Sequence, residues 1–148
     1  MNAAVGRRLA GTAHPLVARS LAALLPLGLL IAAATHIGVA FEHWGTSFAV
    51  LSAGAGIAQG ALAAVAITRP SRGVYQLSML LSLVLMQLYA LNITVGLPPL
   101  IAHTHDTDSH VLFGLRLAEP NPVDAQGLIA QGSQLATVFS ASLLDAPA

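Results

Sequence analysis

The sequence contains neither cysteine nor lysine, and only 8% of its 148 residues are charged. The absence of cysteine excludes a disulfide framework, a thiolate metal site and a thiol nucleophile. The absence of lysine and a formal net charge of zero argue against a basic nucleic-acid-binding surface. Neither a phosphate-cradling glycine-rich motif nor a Gly-x-Ser-x-Gly elbow occurs, so we do not expect a self-sufficient enzyme.

Apolar residues dominate the chain. They make up 55% of it, with a mean hydropathy of +0.74, whereas about 25% of residues in a soluble domain are charged. Because each membrane-spanning helix needs about 20 largely apolar residues, we predict an all-α integral membrane four-helix bundle in residues 20–144. The predicted spans are residues 20–41, 47–68, 74–97 and 123–144. The polar first half of the fourth span also fits a surface helix or a helix inside a larger assembly.

The positions of the arginines predict how the bundle sits in the cell membrane. Cytoplasmic loops close to span ends carry an excess of positive charge. Five of the six arginines precede the first span or lie between the second and third, and the exception is Arg116. We therefore predict that both termini, including the N-terminal segment 1–19, are cytoplasmic, and that loops 42–46 and 98–122 face outward.

The second span is rich in small residues, whereas the third span is rich in bulky ones. Gly56 and Gly60 have the GxxxG spacing, which lets a neighbouring helix approach the second span closely. Packing within the bundle is the favoured interpretation, and an intermolecular contact is the alternative. The third span is bulky, which suits lipid or a large partner. No ionisable residue lies at the centre of the first three spans, and this weakens a transporter interpretation.

Histidines and carboxylates gather near the predicted outer face, which holds five of the six histidines and five of the six acidic residues. In an extended segment, residues two apart point the same way, so His103 and His105 can present two imidazoles to one ion. Imidazole and carboxylate without thiolate suit copper or zinc. The candidate metal ligands are His36, Glu42, His43, His103, His105, Asp106 and His110.

Structural alternatives exist for the same histidines. A solvated loop that happens to be rich in histidine explains residues 103–110 equally well. His36 would sit inside the first span, where a neutral imidazole needs a partner such as a neighbouring helix carbonyl, Gln59 or Asn92. A haem is not expected, because the methionines of the third span lie too deep to pair with His36 as axial ligands.

A few polar positions carry a family resemblance. They are Thr-His-Ile-Gly-Val-Ala-Phe-Glu-His-Trp-Gly at residues 35–45, Gln59, Tyr89, and Thr-Val-Gly-Leu-Pro at residues 94–98. With these features the chain resembles a group of small four-helix membrane proteins of actinobacteria and their relatives. The resemblance implies that the first-helix histidine and the Glu-His pair form a shared polar group. It also implies an accessory role beside a larger enzyme, such as a copper-dependent membrane monooxygenase of the methane and hydrocarbon type.

Two functional hypotheses follow from the sequence. The preferred one is a non-catalytic accessory subunit that contacts lipid and larger integral membrane subunits, with copper or zinc as a candidate ligand at its outer face. The second is a stand-alone metal-binding or metal-delivery protein. A small transporter is the third interpretation, and it lacks a charged residue in the middle of the membrane.

Overall fold

The computed structural model describes residues 15–97, 109–112, 115–118 and 122–146. Four helices form the body of the molecule, and a short hairpin of two antiparallel strands lies between the third and the fourth. The elements are α1 (Pro15–Glu42), α2 (Ser47–Thr68), α3 (Arg72–Thr94), β1 (Ser109–Leu112), β2 (Leu115–Ala118) and α4 (Ala125–Leu144). The predicted all-α architecture is therefore confirmed for the four helices.

Local sequence signals explain where the helices begin and end. The side chains of Thr46, Ser71 and Asp124 cap α2, α3 and α4 by accepting a hydrogen bond from a backbone N–H in the first turn. Gly45 lies in the turn between α1 and α2 with φ +89°. Gly96 follows α3 with φ +83°, a conformation that costs glycine little, so α3 ends at Thr94 rather than at the predicted residue 97.

The helices run up, down, up and down. At one end, which we call the histidine end because it contains His36 and His43, the Gln126 side chain of α4 donates a hydrogen bond of 2.7 Å to Glu42 of α1. At the other, which we call the arginine end, Asp145 pairs with Arg72 of α3 at 2.7 Å. These contacts join opposite ends of α4 to two different helices and fix the antiparallel arrangement.

Three glycines allow close contact between pairs of helices. A Cβ at Gly56 would lie 2.9 Å from the Ala33 carbonyl oxygen of α1, and a Cβ at Gly28 would lie 2.8 Å from the Ser133 carbonyl oxygen of α4. A side chain at Gly127 of α4 would overlap the ring of Tyr89 on α3. Helix α1 is therefore packed between α2 and α4, and the favoured interpretation of Gly56 as an intramolecular contact is confirmed.

In α2 and α4, small and polar residues face inward, while large apolar residues face outward. In α2 the buried positions recur with a spacing of three and four residues, as in a heptad repeat. In α4 the buried side chains include Ser133, Gln134, Thr137 and Ser140, whereas Leu135 and Phe139 are exposed. Helices that associate in lipid use small residues and polar contacts in this way, because lipid chains are as apolar as leucine.

Three helices, α1, α2 and α3, are long and apolar enough to cross a membrane, which indicates a membrane protein. Helix α4 was predicted as a fourth span, and it forms a helix over nearly the predicted residues. Among the described residues it does not count as a helix apolar enough to cross a membrane, because its glutamines, serines and threonine lower its mean hydropathy. Several of these polar side chains are buried against the other helices. The predicted loop 98–122 contains the paired strands β1 and β2.

Candidate functional site

A cavity of about 360 Å³ lies at the histidine end, where all four helices contribute to its walls. On α1 the lining runs from Thr35 to Glu42, so the cavity reaches about 10 Å into the bundle by helix rise. Its walls on α2 and α3 are mainly apolar, whereas α1 and α4 supply polar side chains. The lower limit for a typical ligand pocket is about 300 Å³, so a small ligand fits.

The packing of the opposite end explains why the cavity forms here. At the arginine end, Leu25 and Leu29 of α1 pack with Ala63 and Ala66 of α2 and with Ala141 of α4 in a closed apolar core. Helices α2 and α3 contact each other less than the pairs α1–α2, α1–α4 and α3–α4 do, and the α3 residues that touch the core lie near the turn between α2 and α3. The two helices diverge from that turn, and the cavity occupies the space between them.

His36 lies at the inner part of this cavity, six residues before the end of α1. Its Nδ1 is 2.8 Å from the carbonyl oxygen of Ala32. Because a carbonyl can only accept a hydrogen bond, Nδ1 carries the proton. The side-chain amide of Gln59 lies beside the imidazole without meeting hydrogen-bond geometry. The expected carbonyl partner therefore exists, but it belongs to the helix of His36 itself.

Glu42 and His43 line the mouth of the cavity. Glu42 accepts the hydrogen bond from Gln126, and the His43 ring lies 5.6 Å from the Phe48 ring, centroid to centroid. Trp44 is 81% exposed and stacks on Phe41 at 6.4 Å, as expected of an anchor at a membrane surface. The structure therefore brings His36, Glu42 and His43 to one cavity, as the sequence suggested.

The predicted metal site is only partly within the described residues. His103, His105 and Asp106 lie outside them, and of His110 only the backbone in β1 is described. Among the side chains that are described, no three histidine or acidic groups come close enough to hold one ion. His36, Glu42 and His43 share a cavity without forming such a group. A site completed by residues 103–110 stays a prediction.

A second feature lies on the outward surface of α3. Leu77, Leu80, Val84, Gln87 and Leu91 are all exposed and recur at intervals of three and four residues. We call these five residues the α3 stripe. They form one face of the helix, since residues spaced in this way align along its axis. Among the described residues the Gln87 amide has no hydrogen-bond partner.

Comparisons with known proteins give no relative. No protein-family model matches the chain, and no curated protein or solved structure matches it. The resemblance to small four-helix membrane proteins therefore stays a hypothesis.

Several residues of the cavity were not predicted as site residues. Tyr89 forms one wall because Gly127 leaves room for its ring, and its buried hydroxyl lies beside the Asp124 backbone without a hydrogen bond. Asp124 caps α4 and also lines the cavity. Its position before a helix was visible in the sequence as a capping signal, but its approach to Glu42 depends on how α4 packs against α1.

Proposed function

We propose that this chain is a non-catalytic subunit of a larger membrane complex, and that a partner contributes a membrane helix to the α3 stripe. The observation that carries the proposal is Gln87, an exposed amide on an otherwise apolar helix face. Gln87 lies seven residues before the end of α3, which is about 10 Å along the axis. A hydrocarbon core about 30 Å thick would therefore surround the amide.

An unpaired Gln87 side-chain amide is unfavourable in the hydrocarbon of a membrane. Transfer of an unpaired amide into hydrocarbon costs about 4–8 kcal/mol on the cyclohexane scale. A polar partner on a neighbouring helix recovers part of that cost, about 0.6–2 kcal/mol per hydrogen bond in membranes. A partner helix packed on the α3 stripe would shield Gln87 and bury its four apolar neighbours.

Helix α3 is also the least covered of the three apolar helices. Only 11% of its most apolar segment is buried inside the molecule, compared with 33% for α1 and 28% for α2. Lipid alone can cover leucine and valine, but it cannot satisfy an amide. Gln87 therefore favours a partner over lipid at this face.

The remaining parts of the proposal come from the sequence. We infer that the arginine end is cytoplasmic, because Arg69 and Arg72 flank the turn between α2 and α3. The histidine end and residues 98–122 would then face outward, where copper or zinc is the proposed metal. The family resemblance suggests a copper-dependent membrane monooxygenase as the larger enzyme.

Photo-crosslinking in native membranes tests the proposal. Leu80 on α3 and Leu135 on α4 are each 58% exposed, so a benzoylphenylalanine at either position is equally accessible to neighbouring lipid and protein. We expect adducts with a larger protein from position 80 and much weaker adducts from position 135. Adding Gln87→Leu should reduce the position-80 adduct. Lipid adducts only, or equal protein adducts from both positions, would contradict the proposal.

A further inference from the structure

We infer that the cavity at the histidine end binds an amphiphilic organic cation, with its apolar tail between α2 and α3 and its charged group near Glu42 and Asp124. The inference does not depend on a partner at the α3 stripe. It begins with the cavity itself, which is large enough for a small ligand at about 360 Å³. It then uses the distribution of apolar and charged side chains around the walls.

The apolar walls lie where a ligand would enter from a lipid bilayer. Leu51 of α2 and Leu88 of α3 both line the cavity, and they are 52% and 40% exposed. They belong to two helices that contact each other much less than α1 contacts α2 or α4. A gap between these helices opens sideways towards lipid, so a molecule already dissolved in the bilayer reaches the cavity without crossing water.

Among the described lining residues, two carboxylates, Glu42 and Asp124, lie at the mouth beside His43. Glu42 comes from the end of α1, and Asp124 precedes α4. Their hydrogen bonds come from a neutral amide and from a backbone N–H, so neither bond neutralises the carboxylate. The chain has no lysine, and no arginine is among the described lining residues. A cation is therefore attracted to the mouth, and an anion is repelled.

The aromatic lining favours the same class of ligand. Phe48 and Tyr89 line opposite parts of the cavity, on α2 and α3. An alkylammonium group is attracted to the face of an aromatic ring, and the attraction grows when water is excluded. The half-buried Asn92 also lines the cavity and adds a neutral hydrogen-bonding group.

Three amphiphiles with the same twelve-carbon tail test the charge preference. Dodecyltrimethylammonium, dodecanol and dodecanoate would each compete with a dodecyl ammonium probe that carries a photoactivatable diazirine, using full-length protein in phosphatidylcholine nanodiscs. We expect labelled peptides from the cavity walls. We also expect the cation to compete about five- to tenfold better than the alcohol, as two partly exposed charges allow, and the anion to compete least.

Conservative variants separate charge from shape. Glu42→Gln and Asp124→Asn keep the hydrogen-bonding capacity and the helix cap but remove both charges. The double variant should lose the preference for the cation over the alcohol and still bind the alcohol. Asp145→Asn, at the arginine end, is the matched control and should leave the preference for the cation over the alcohol unchanged. An unchanged cation preference in the double variant would overturn the assignment of the charged groups.

A second pair of variants tests the cavity. Ala55 lines it, whereas Ala61 is an exposed residue of α2 outside it. Ala55→Phe should fill the space and abolish competition by all three amphiphiles, while Ala61→Phe should leave it intact. Labelling spread evenly over all lipid-facing residues, or labelling insensitive to Ala55→Phe, would show partition into lipid and refute the site.

Discussion

The close contact at Gly56 makes a sharp prediction, because Gly60 on the same helix provides an internal comparison. A Cβ at Gly56 would lie 2.8 Å from Cγ1 of Ile37 and 2.9 Å from the Ala33 carbonyl oxygen. The isoleucine can move, but the carbonyl belongs to the backbone of α1. A Cβ at Gly60 would meet only the Cβ of Ala33, at 3.9 Å, which is an ordinary contact.

The expected energies follow from these distances. Overpacking of an interior position typically costs about 1–3 kcal/mol, and the replacement of glycine by alanine in a helix returns about 1 kcal/mol. Gly56→Ala should therefore lower the free energy of unfolding by up to about 2 kcal/mol. Gly60→Ala keeps the helix benefit without the clash and should raise the free energy of unfolding by up to about 1 kcal/mol.

Unfolding in mixed micelles measures both variants. The fraction of dodecyl sulfate would be increased at constant total detergent, and the loss of helix followed by circular dichroism. We expect Gly56→Ala to unfold at a lower fraction than the wild type and Gly60→Ala at a higher one. Equal midpoints, or a more stable Gly56→Ala protein, would refute the packing of α2 against α1 at this glycine.

Four further predictions concern individual contacts and the predicted metal site. The buried Ser82 hydroxyl has no hydrogen-bond partner among the described residues, so Ser82→Ala should raise the free energy of unfolding by about 1 kcal/mol. Ser133→Ala should lower the free energy of unfolding by about 0.5–1 kcal/mol, since this hydroxyl donates to a carbonyl at 2.8 Å. The same micelle titration tests both serine variants. A Ser133→Ala protein more stable than the Ser82→Ala protein would contradict the hydrogen bonding assigned to these two hydroxyls. Asp145→Asn breaks a partly exposed ion pair and should cost about 0.2–1 kcal/mol, a loss that disappears in about 1 M salt. Replacing His103 and His105 by alanine should lower the copper or zinc retained by purified protein in elemental analysis, and unchanged metal content would contradict that site.

The helices were predictable because their signals are local. The structure places α2 at residues 47–68, as predicted, where Thr46 provides a cap and Arg69 follows the apolar segment. The end of α3 was predicted three residues too late, because hydropathy continues through Leu97 while the backbone turns at Gly96. Hydropathy reports where apolar residues occur, and it does not report where backbone hydrogen bonding stops.

The character of α4 was harder to predict because it depends on packing. The helix was predicted as a fourth span, and the polar residues of its first half left a surface helix or a helix inside an assembly as alternatives. Those residues are Asp124, Gln126, Gln131, Ser133 and Gln134. Four polar side chains of α4, those of Ser133, Gln134, Thr137 and Ser140, are buried, and α4 packs mainly on α1 and α3. The same molecule therefore supplies the environment that these side chains need. A single helix sequence gives the position of a polar face, but it does not identify the neighbour.

The cavity was predictable only in part. His36, Glu42 and His43 were identified because polar residues near the end of an apolar helix stand out. Asp124 was not assigned to the same site, because it follows them by some 80 residues in the chain and reaches them only through α4. The space itself arises from the divergence of α2 and α3, which no local pattern in either helix encodes.

If the chain works as a subunit of a larger membrane complex, the mass of the particle extracted from the native membrane will exceed that of the chain alone. The tagged protein would be extracted in mild detergent and examined by native mass spectrometry without crosslinking. We expect the 15.1 kDa chain to occur in a stoichiometric complex with a larger integral membrane protein, and Gln87→Leu to weaken this complex. A wild-type chain found only alone, or only with copies of itself, would contradict the claim.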